Sequence, residues 1–148
     1  MNDDDSPTHH DPTHHAHEHE HEHEHAGTAS FPHEKLDAYD VALKMAVLAK
    51  KTAQNIPRGH RNVADHMVRA AANAVLLLAE GANRRASAEK RQRFVESRGE
   101  CGEVAAAADL VLLLDLTSSR AGTEELKRLA ARVSAMLTRL IALFGGCG

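Results

Sequence analysis

Histidine and glutamate alternate without a break over residues 17–25, HEHEHEHEH, and no other stretch of the chain points so directly to chemistry. Neutral imidazole is a good ligand for Zn, Ni and Cu ions. A chain with an imidazole at every second position can wrap one ion with several of them, but it lacks the surrounding groups that fix the ligands of a catalytic metal. This His/Glu segment therefore predicts an exchangeable metal site formed by His17, His19, His21, His23 and His25.

The sequence around the His/Glu segment has the same unusual composition. The first 33 residues hold ten of the twelve histidines and eight acidic residues, with no Lys or Arg. So little apolar area cannot offset the entropy lost on ordering, and we expect residues 1–32 to form a disordered tail. Two interpretations stay open: the tail buffers metal in the cell, or it is a solvated polyampholyte or purification handle whose metal affinity has no role.

The rest of the chain contains no pattern typical of an enzyme. None of its three histidines, His33, His60 and His66, forms the Glu-x-x-His pair with which helical bundles hold two metal ions. Cys101 lies on an apolar row and is expected to be a small core residue, whereas Cys147 is expected to be exposed. We therefore predict no catalytic residue and no required cofactor.

A basic run near the middle of the chain is the best candidate for a nucleic-acid surface. All 18 Lys and Arg residues follow the tail, against 13 acidic residues, and six of them fall within fifteen positions. Guanidinium groups suit phosphate, so binding would be sequence-independent and sensitive to salt. The alternative is an ordinary solvated helix face. The candidate residues are Arg84, Arg85, Lys90, Arg91, Arg93 and Arg98.

Apolar residues recur at spacings of three and four from Phe31 onward, which predicts helices. The first helix is expected from Pro32 to about Gln54, with Leu36, Tyr39, Leu43 and Val47 facing the core. A second apolar row on this helix predicts either a broad core face or a subunit interface. That row consists of Val41, Met45 and Leu48.

Three further helices follow the same pattern. The second is expected to end near Gly81, the third to begin at Ser87 as its N-cap, and the fourth to begin at Thr123 as its N-cap. Gly99 and Gly102 lie inside the third helix, where each costs about 1 kcal/mol relative to Ala. A close helix contact or a local bend is expected to offset that cost.

Four amphipathic helices with short connections predict an all-α fold, an antiparallel up-and-down four-helix bundle over residues 33–148 that follows the tail. No apolar run approaches the ~18 residues that a membrane span requires, and the acidic N-terminus lacks the apolar core of a secretion signal. Two cysteines do not imply a disulfide framework. We therefore expect a cytoplasmic protein without membrane contact.

The segment RAAANAVLLLAEGANRRASAEKRQRFVESRGECGEV, residues 69–104, resembles the signature of a bacterial four-helix bundle family. That family includes the proteins encoded in 23S rRNA intervening sequences and the accessory variability proteins of diversity-generating retroelements. The match runs from about Leu36 to Leu116. Residues 73–77 depart from it, because the family has Ser-Ile-Pro-x-Asn there, so we expect a straighter second helix. The matching signature positions are Glu80, Gly81, Arg98, Gly99 and Glu103.

The resemblance implies a ring of identical subunits, commonly a pentamer, without enzymatic activity. In the retroelement branch the ring binds nucleic acid and contacts a reverse transcriptase, so RNA, DNA or a nucleic-acid enzyme is an expected partner. We expect Glu80 and Arg98 to pair between helices and to fix their register. The leading hypothesis is a non-enzymatic oligomeric binding or scaffolding protein. The alternative is a metal-buffering protein whose bundle displays several tails.

Overall fold

A computed structural model of the chain describes residues 29–145, so the predictions for the His/Glu segment and Cys147 lie outside the described residues. Four helices account for most of this part, and none of it is a strand. Short 3₁₀ turns precede the first two helices, at Pro32–Lys35 and Arg58–His60. The helices are α1 (Asp37–Gln54), α2 (Arg61–Asn83), α3 (Ser87–Leu113) and α4 (Arg120–Phe144).

The helices pack as the predicted bundle. α1 packs against α2 and α4, and α3 packs against the same two helices, so α1 and α3 lie diagonally opposite each other. The connections are short, which makes successive helices antiparallel. The all-α four-helix fold is thus confirmed. None of the helices within residues 29–145 combines the length and the apolar character that a bilayer span requires.

Each helix contributes large side chains to one core. Met45 of α1, Met67 of α2, Phe94 of α3 and Leu126 of α4 are all fully buried. Apolar residues spaced at three and four along α2, α3 and α4 are buried in this core. Many of the remaining core positions are alanines, which let neighbouring helices approach closely.

The first apolar row predicted for α1 faces the core only in part: Leu36 and Tyr39 pack against it, but the rest of the row does not. Leu43 and Val47, predicted to face the core, are 39% and 57% exposed, whereas Val41 and Met45 from the second row are buried. The row predicted as a broad core face or a subunit interface is therefore part of the core. Ala38, Ala42 and Ala49 lie on the same face and allow α1 to sit close to its neighbours.

The structure also corrects the predicted helix ends. α2 continues to Asn83, beyond the predicted end near Gly81, and runs unbroken through the segment that replaces the family's proline motif. Ser87 is the first residue of α3 and not its cap, which is Ala86. Thr123 lies in the first turn of α4, and the Ser119 hydroxyl caps that helix by accepting from the Gly122 N–H at 3.3 Å.

The α2–α3 contact depends on Gly81 and Ser97. A Cβ atom on Gly81 would lie 2.9 Å from the Phe94 ring, so only glycine allows the two helices to pack this closely. The buried Ser97 hydroxyl donates to the Ala74 carbonyl of α2 at 2.6 Å. Gly99 and Gly102, by contrast, have no atom within 4 Å of a built Cβ, so no contact inside the described part of the subunit offsets their cost.

Candidate nucleic-acid interface

The signature carboxylate Glu80 is paired with two arginines at the α2–α3 turn. Arg84 donates to it from one turn further along the chain, and the Nε atom of Arg93 lies 3.3 Å from its Oε1 atom. Arg93 also donates to Glu96 at 2.6 Å. The hydrogen bond from Arg84 lowers the pKa of Glu80 below its ordinary value. Glu80 is therefore ionised at neutral pH, and the neighbouring Arg84 and Arg93 neutralise its charge.

The predicted Glu80–Arg98 pair is wrong. Arg98 reaches α4, where its guanidinium donates to the Thr138 hydroxyl at 3.2 Å. The packing of Phe94 against Gly81 places its neighbour Arg93 beside Glu80. Arg98 is more than one helical turn further along α3, which takes it out of reach of the carboxylate.

Lys90 caps the C-terminal end of α2. Its Nζ atom donates to the Ala82 carbonyl at 2.8 Å and lies 5.5 Å from the centre of the Phe144 ring. A cation at this position satisfies exposed carbonyls and complements the negative end of the helix dipole. Its charge is therefore directed toward the protein backbone.

Four of the six cations predicted to form the nucleic-acid surface are thus engaged within the chain. Carboxylates neutralise Arg84 and Arg93, while Lys90 and Arg98 bond to neutral oxygens. Arg85 and Arg91 are exposed and form no ion pair in the described part of the chain. The run that is conspicuous in the sequence therefore offers less free charge than its composition suggests.

A second basic surface, which the sequence analysis missed, lies in the groove between α1 and α2, here called the α1–α2 groove. Lys50 lines its α1 side, and Arg61 and Arg69 line its α2 side. None of the three forms an ion pair within residues 29–145. Asp65 is the one acidic residue among the groove's lining residues, while Val68 and Ala72 add apolar surface.

A charge count would have found this surface. Between residues 44 and 69 the chain has six cations and one acidic residue, but they are spread over 26 positions and two helices. No short run draws attention to them. Helix packing brings Lys50 beside Arg61 and Arg69 because α1 and α2 are antiparallel neighbours.

The acidic side chains are concentrated elsewhere. Glu100 and Glu103 lie one turn apart on α3, and neither forms an ion pair in the described part. Burial raises the pKa of Glu100, and the neighbouring charge of Glu103 raises it further. The signature residue Glu103 is exposed. The bundle thus has a basic α1–α2 side and an acidic stretch on α3.

The described part of the chain also contains potential metal ligands and one cysteine, Cys101. Within residues 29–145, no three His, Cys, Asp or Glu side chains converge closely enough to hold a metal ion. Cys101 is buried in the core as expected, and burial raises the pKa of its thiol to about 12. Because the thiolate is the reactive form, this cysteine is a poor nucleophile at neutral pH.

Two comparisons with known proteins bear on the family of this chain. No curated protein matches the chain. The model of one protein family, described as 23S rRNA-intervening sequence protein, matches residues 34–139, more than two thirds of the sequence. The match includes Glu80 and Gly81 in the last turns of α2, the α2–α3 contact and most of α4. The chain therefore belongs to the family of 23S rRNA-intervening sequence proteins.

Proposed function

We propose that the protein is a non-enzymatic, oligomeric scaffold that contacts the phosphate backbone of nucleic acid through the α1–α2 groove. The observation that carries this proposal is the set of cations there that form no ion pair within residues 29–145, Lys50, Arg61 and Arg69. A cation without a protein partner gains from meeting a phosphate, whereas a paired cation must first give up its carboxylate. The predicted stretch adds Arg85 and Arg91 near the C-terminal end of α2.

The expected binding is independent of sequence. The contacts on offer are long, charged side chains, and such contacts position a nucleic acid without reading its bases. Each phosphate that is neutralised releases counterions, so affinity falls steeply as salt rises.

The test is fluorescence anisotropy with a labelled single-stranded RNA over a range of salt concentrations. The triple variant Lys50→Gln, Arg61→Gln, Arg69→Gln should weaken binding at low salt by about tenfold or more, and should reduce the slope of log affinity against log salt by about 2. A control with the same change in charge alters the same residue types on α4, the helix diagonally opposite α2, where Lys127 and Arg128 are paired with carboxylates. That control is Lys127→Gln, Arg128→Gln, Arg132→Gln.

The two triple variants carry the same net charge, so their comparison separates a local surface from general charge attraction. Binding near the wild-type level by the α4 triple variant would support the α1–α2 groove as the nucleic-acid surface. An equal loss in both triples, or no binding by the wild-type protein at low salt, would overturn the proposal.

The oligomeric part of the proposal rests on apolar surface that the subunit leaves uncovered. On α3, Leu110 and Leu113 are 44% and 80% exposed. They continue an outward row that begins with Gly99, Gly102 and Ala106. We call this row the α3 ridge. Exposed apolar surface of this kind is typical of subunit interfaces, and glycines on such a ridge allow a second helix to approach closely.

A complementary surface lies on the other side of the bundle. Leu43 and Val47 of α1 and Leu129 of α4 line an apolar cleft flanked by Lys44 and Lys51. Because α1 is diagonally opposite α3, the cleft and the ridge face in different directions. Docking the ridge of one subunit in the cleft of the next is a head-to-tail contact, which closes into a ring when the rotation permits. We propose that the ring has five members, as the resemblance implies.

Native mass spectrometry tests the assembly. The variant Leu110→Glu, Leu113→Glu should lower the native mass toward that of one subunit while leaving helicity intact, because both side chains are exposed in the subunit. The control is Leu143→Glu, which alters a residue that is 72% exposed on α4, outside both surfaces. A wild-type protein that is monomeric, or a ridge variant with unchanged mass, would refute this part.

A further inference from the structure

We propose that the His/Glu segment, residues 17–25, docks in the α1–α2 groove of its own chain and occupies the cations that line it. The docking rests on the charges and on where the described chain begins. The consequence, competition with nucleic acid for the same cations, rests on the proposed function.

Charge complementarity is the first argument. The His/Glu segment carries four glutamates and no cation, and the 28 residues before the described part contain no Lys or Arg at all. The α1–α2 groove has three cations without ion pairs in the described part and one carboxylate, Asp65. At the α2–α3 turn, by contrast, Glu80 and Glu96 already neutralise the arginines beside them. The groove is therefore the better site for an anionic peptide.

The place where the described chain begins is the second argument. The Asn83 side-chain amide donates to the His33 ring at 2.9 Å, which fixes the start of the bundle domain against the C-terminal end of α2. The 3₁₀ turn at Pro32–Lys35 packs on α1 and α2, the same two helices that form the groove. The described part of the chain thus begins beside this pair of helices.

The chain is also long enough. At a rise of 1.5 Å per residue, Arg69 lies about 21 Å and Arg61 about 33 Å along α2 from Asn83. An extended chain covers up to about 3.4 Å per residue, so Glu22 can reach about 31 Å and Glu18 about 44 Å from Phe31, whose ring stacks on the His33 ring beside Asn83. The glutamates of the segment therefore span the stretch of α2 that carries both arginines.

Alternation gives the segment a regular anionic edge. In an extended chain the four glutamates fall on one side, at intervals of about 7 Å, and the imidazoles fall on the other. Exposed ion pairs are individually weak, but the covalent connection makes their formation intramolecular. Several weak pairs can then keep the segment in place without a large apolar contact.

Crosslinking of the full-length protein with a carbodiimide, which joins a carboxylate to an amine in direct contact, tests the docking. Peptide mapping should find residues 17–25 joined to Lys50, and these products should decrease as salt is raised. Lys44 is the internal control, because it is also on α1 but lines the cleft toward α4. Failure to crosslink Lys50, or equal crosslinking of Lys44, would overturn the proposal. A second experiment crosslinks a mixture of isotopically heavy and light protein. If most crosslinks join a heavy chain to a light one, the segment docks on another copy and the proposal is overturned.

Competition is measured by RNA anisotropy with two full-length variants. Replacing the four glutamates, Glu18→Gln, Glu20→Gln, Glu22→Gln and Glu24→Gln, should tighten binding by about threefold to tenfold at low salt. The matched control removes four other tail carboxylates, Asp3→Asn, Asp4→Asn, Asp5→Asn and Asp11→Asn, and should change binding less. Equal effects in both variants would refute competition at the groove.

The two measurements distinguish the failures. If no variant binds RNA while Lys50 still crosslinks to the segment, the proposed function fails and the docking stands. If Lys50 does not crosslink, the docking fails whatever the affinity for RNA.

Discussion

Substitution of Gly81 by alanine should reveal how tightly α2 and α3 are packed. The added Cβ atom would lie 2.9 Å from two ring carbons of Phe94 and 3.0 Å from the Cβ atom of Arg93. Ordinary contacts begin near 3.4 Å, so the ring must move by about 0.5 Å, yet Phe94 is only 1% exposed and enclosed by the core. The substitution therefore creates a contact shorter than van der Waals distance in a part of the core where the ring has little room to move.

Two effects of opposite sign decide the magnitude. Alanine favours a helix over glycine by about 1 kcal/mol, while overpacking a core costs about 1 to 3 kcal/mol. The net expectation for Gly81→Ala is a loss of about 1 kcal/mol in the free energy of unfolding. Urea denaturation followed by far-UV circular dichroism measures it, at one fixed protein concentration because assembly would make the midpoint concentration-dependent.

A double-mutant cycle with Phe94→Leu isolates the contact. The smaller side chain removes the ring that meets the new methyl group, so Gly81→Ala should be neutral or stabilising in that background. The expected coupling is about 1 to 2 kcal/mol. If Gly81→Ala stabilises the wild-type protein, or changes stability equally in both backgrounds, the reasoning about this contact is refuted.

Three other properties of the bundle and its tail can be tested directly. Ser97→Ala removes the buried hydrogen bond to the Ala74 carbonyl and should lower the free energy of unfolding by about 1 kcal/mol in urea; an unchanged midpoint would contradict this. Glu80 has a folded-state pKa below its ordinary value of 4.5, so its stabilising effect is present above that pH and is lost as pH falls through the folded pKa. The stability difference between wild type and Glu80→Gln should accordingly shrink on acidification below about pH 4.5, and a difference that grows in acid would count against the ion pairs. Replacing the five histidines of residues 17–25 by Gln should weaken Zn²⁺ binding in calorimetry, because it removes five of the nine histidines before the described part and residues 29–145 contain no group of three metal ligands; undiminished affinity would place the site elsewhere.

The candidate surfaces show where a linear reading of charge succeeds and fails. The run from Arg84 to Arg98 is visible in the sequence, but the sequence does not show which of its side chains are free to bind a phosphate. Whether an arginine is free depends on which carboxylate the neighbouring helix brings beside it, as Glu80 does for Arg93. Lys50 and Arg69 are unremarkable in sequence and become one surface only when α1 and α2 pack.

The exposed half of the first α1 row illustrates a second limit. Leu43 and Val47 are large and regularly spaced, so periodicity assigns them to the core, yet they are exposed. Alanines mark the buried face, and a pattern that weights large residues overlooks them. The correction transfers apolar surface from the core to the cleft that the assembly proposal uses.

The sequence by itself determined the number of helices, their approximate limits, the all-α class and the family, because these depend on local periodicity, turn residues and a short signature. The tertiary structure alone decided which face of α1 is buried, which arginines are neutralised and which cations share a groove. Those features depend on the distances between helices that are remote in sequence, and the distances follow from how closely residues such as Gly81 allow the helices to approach.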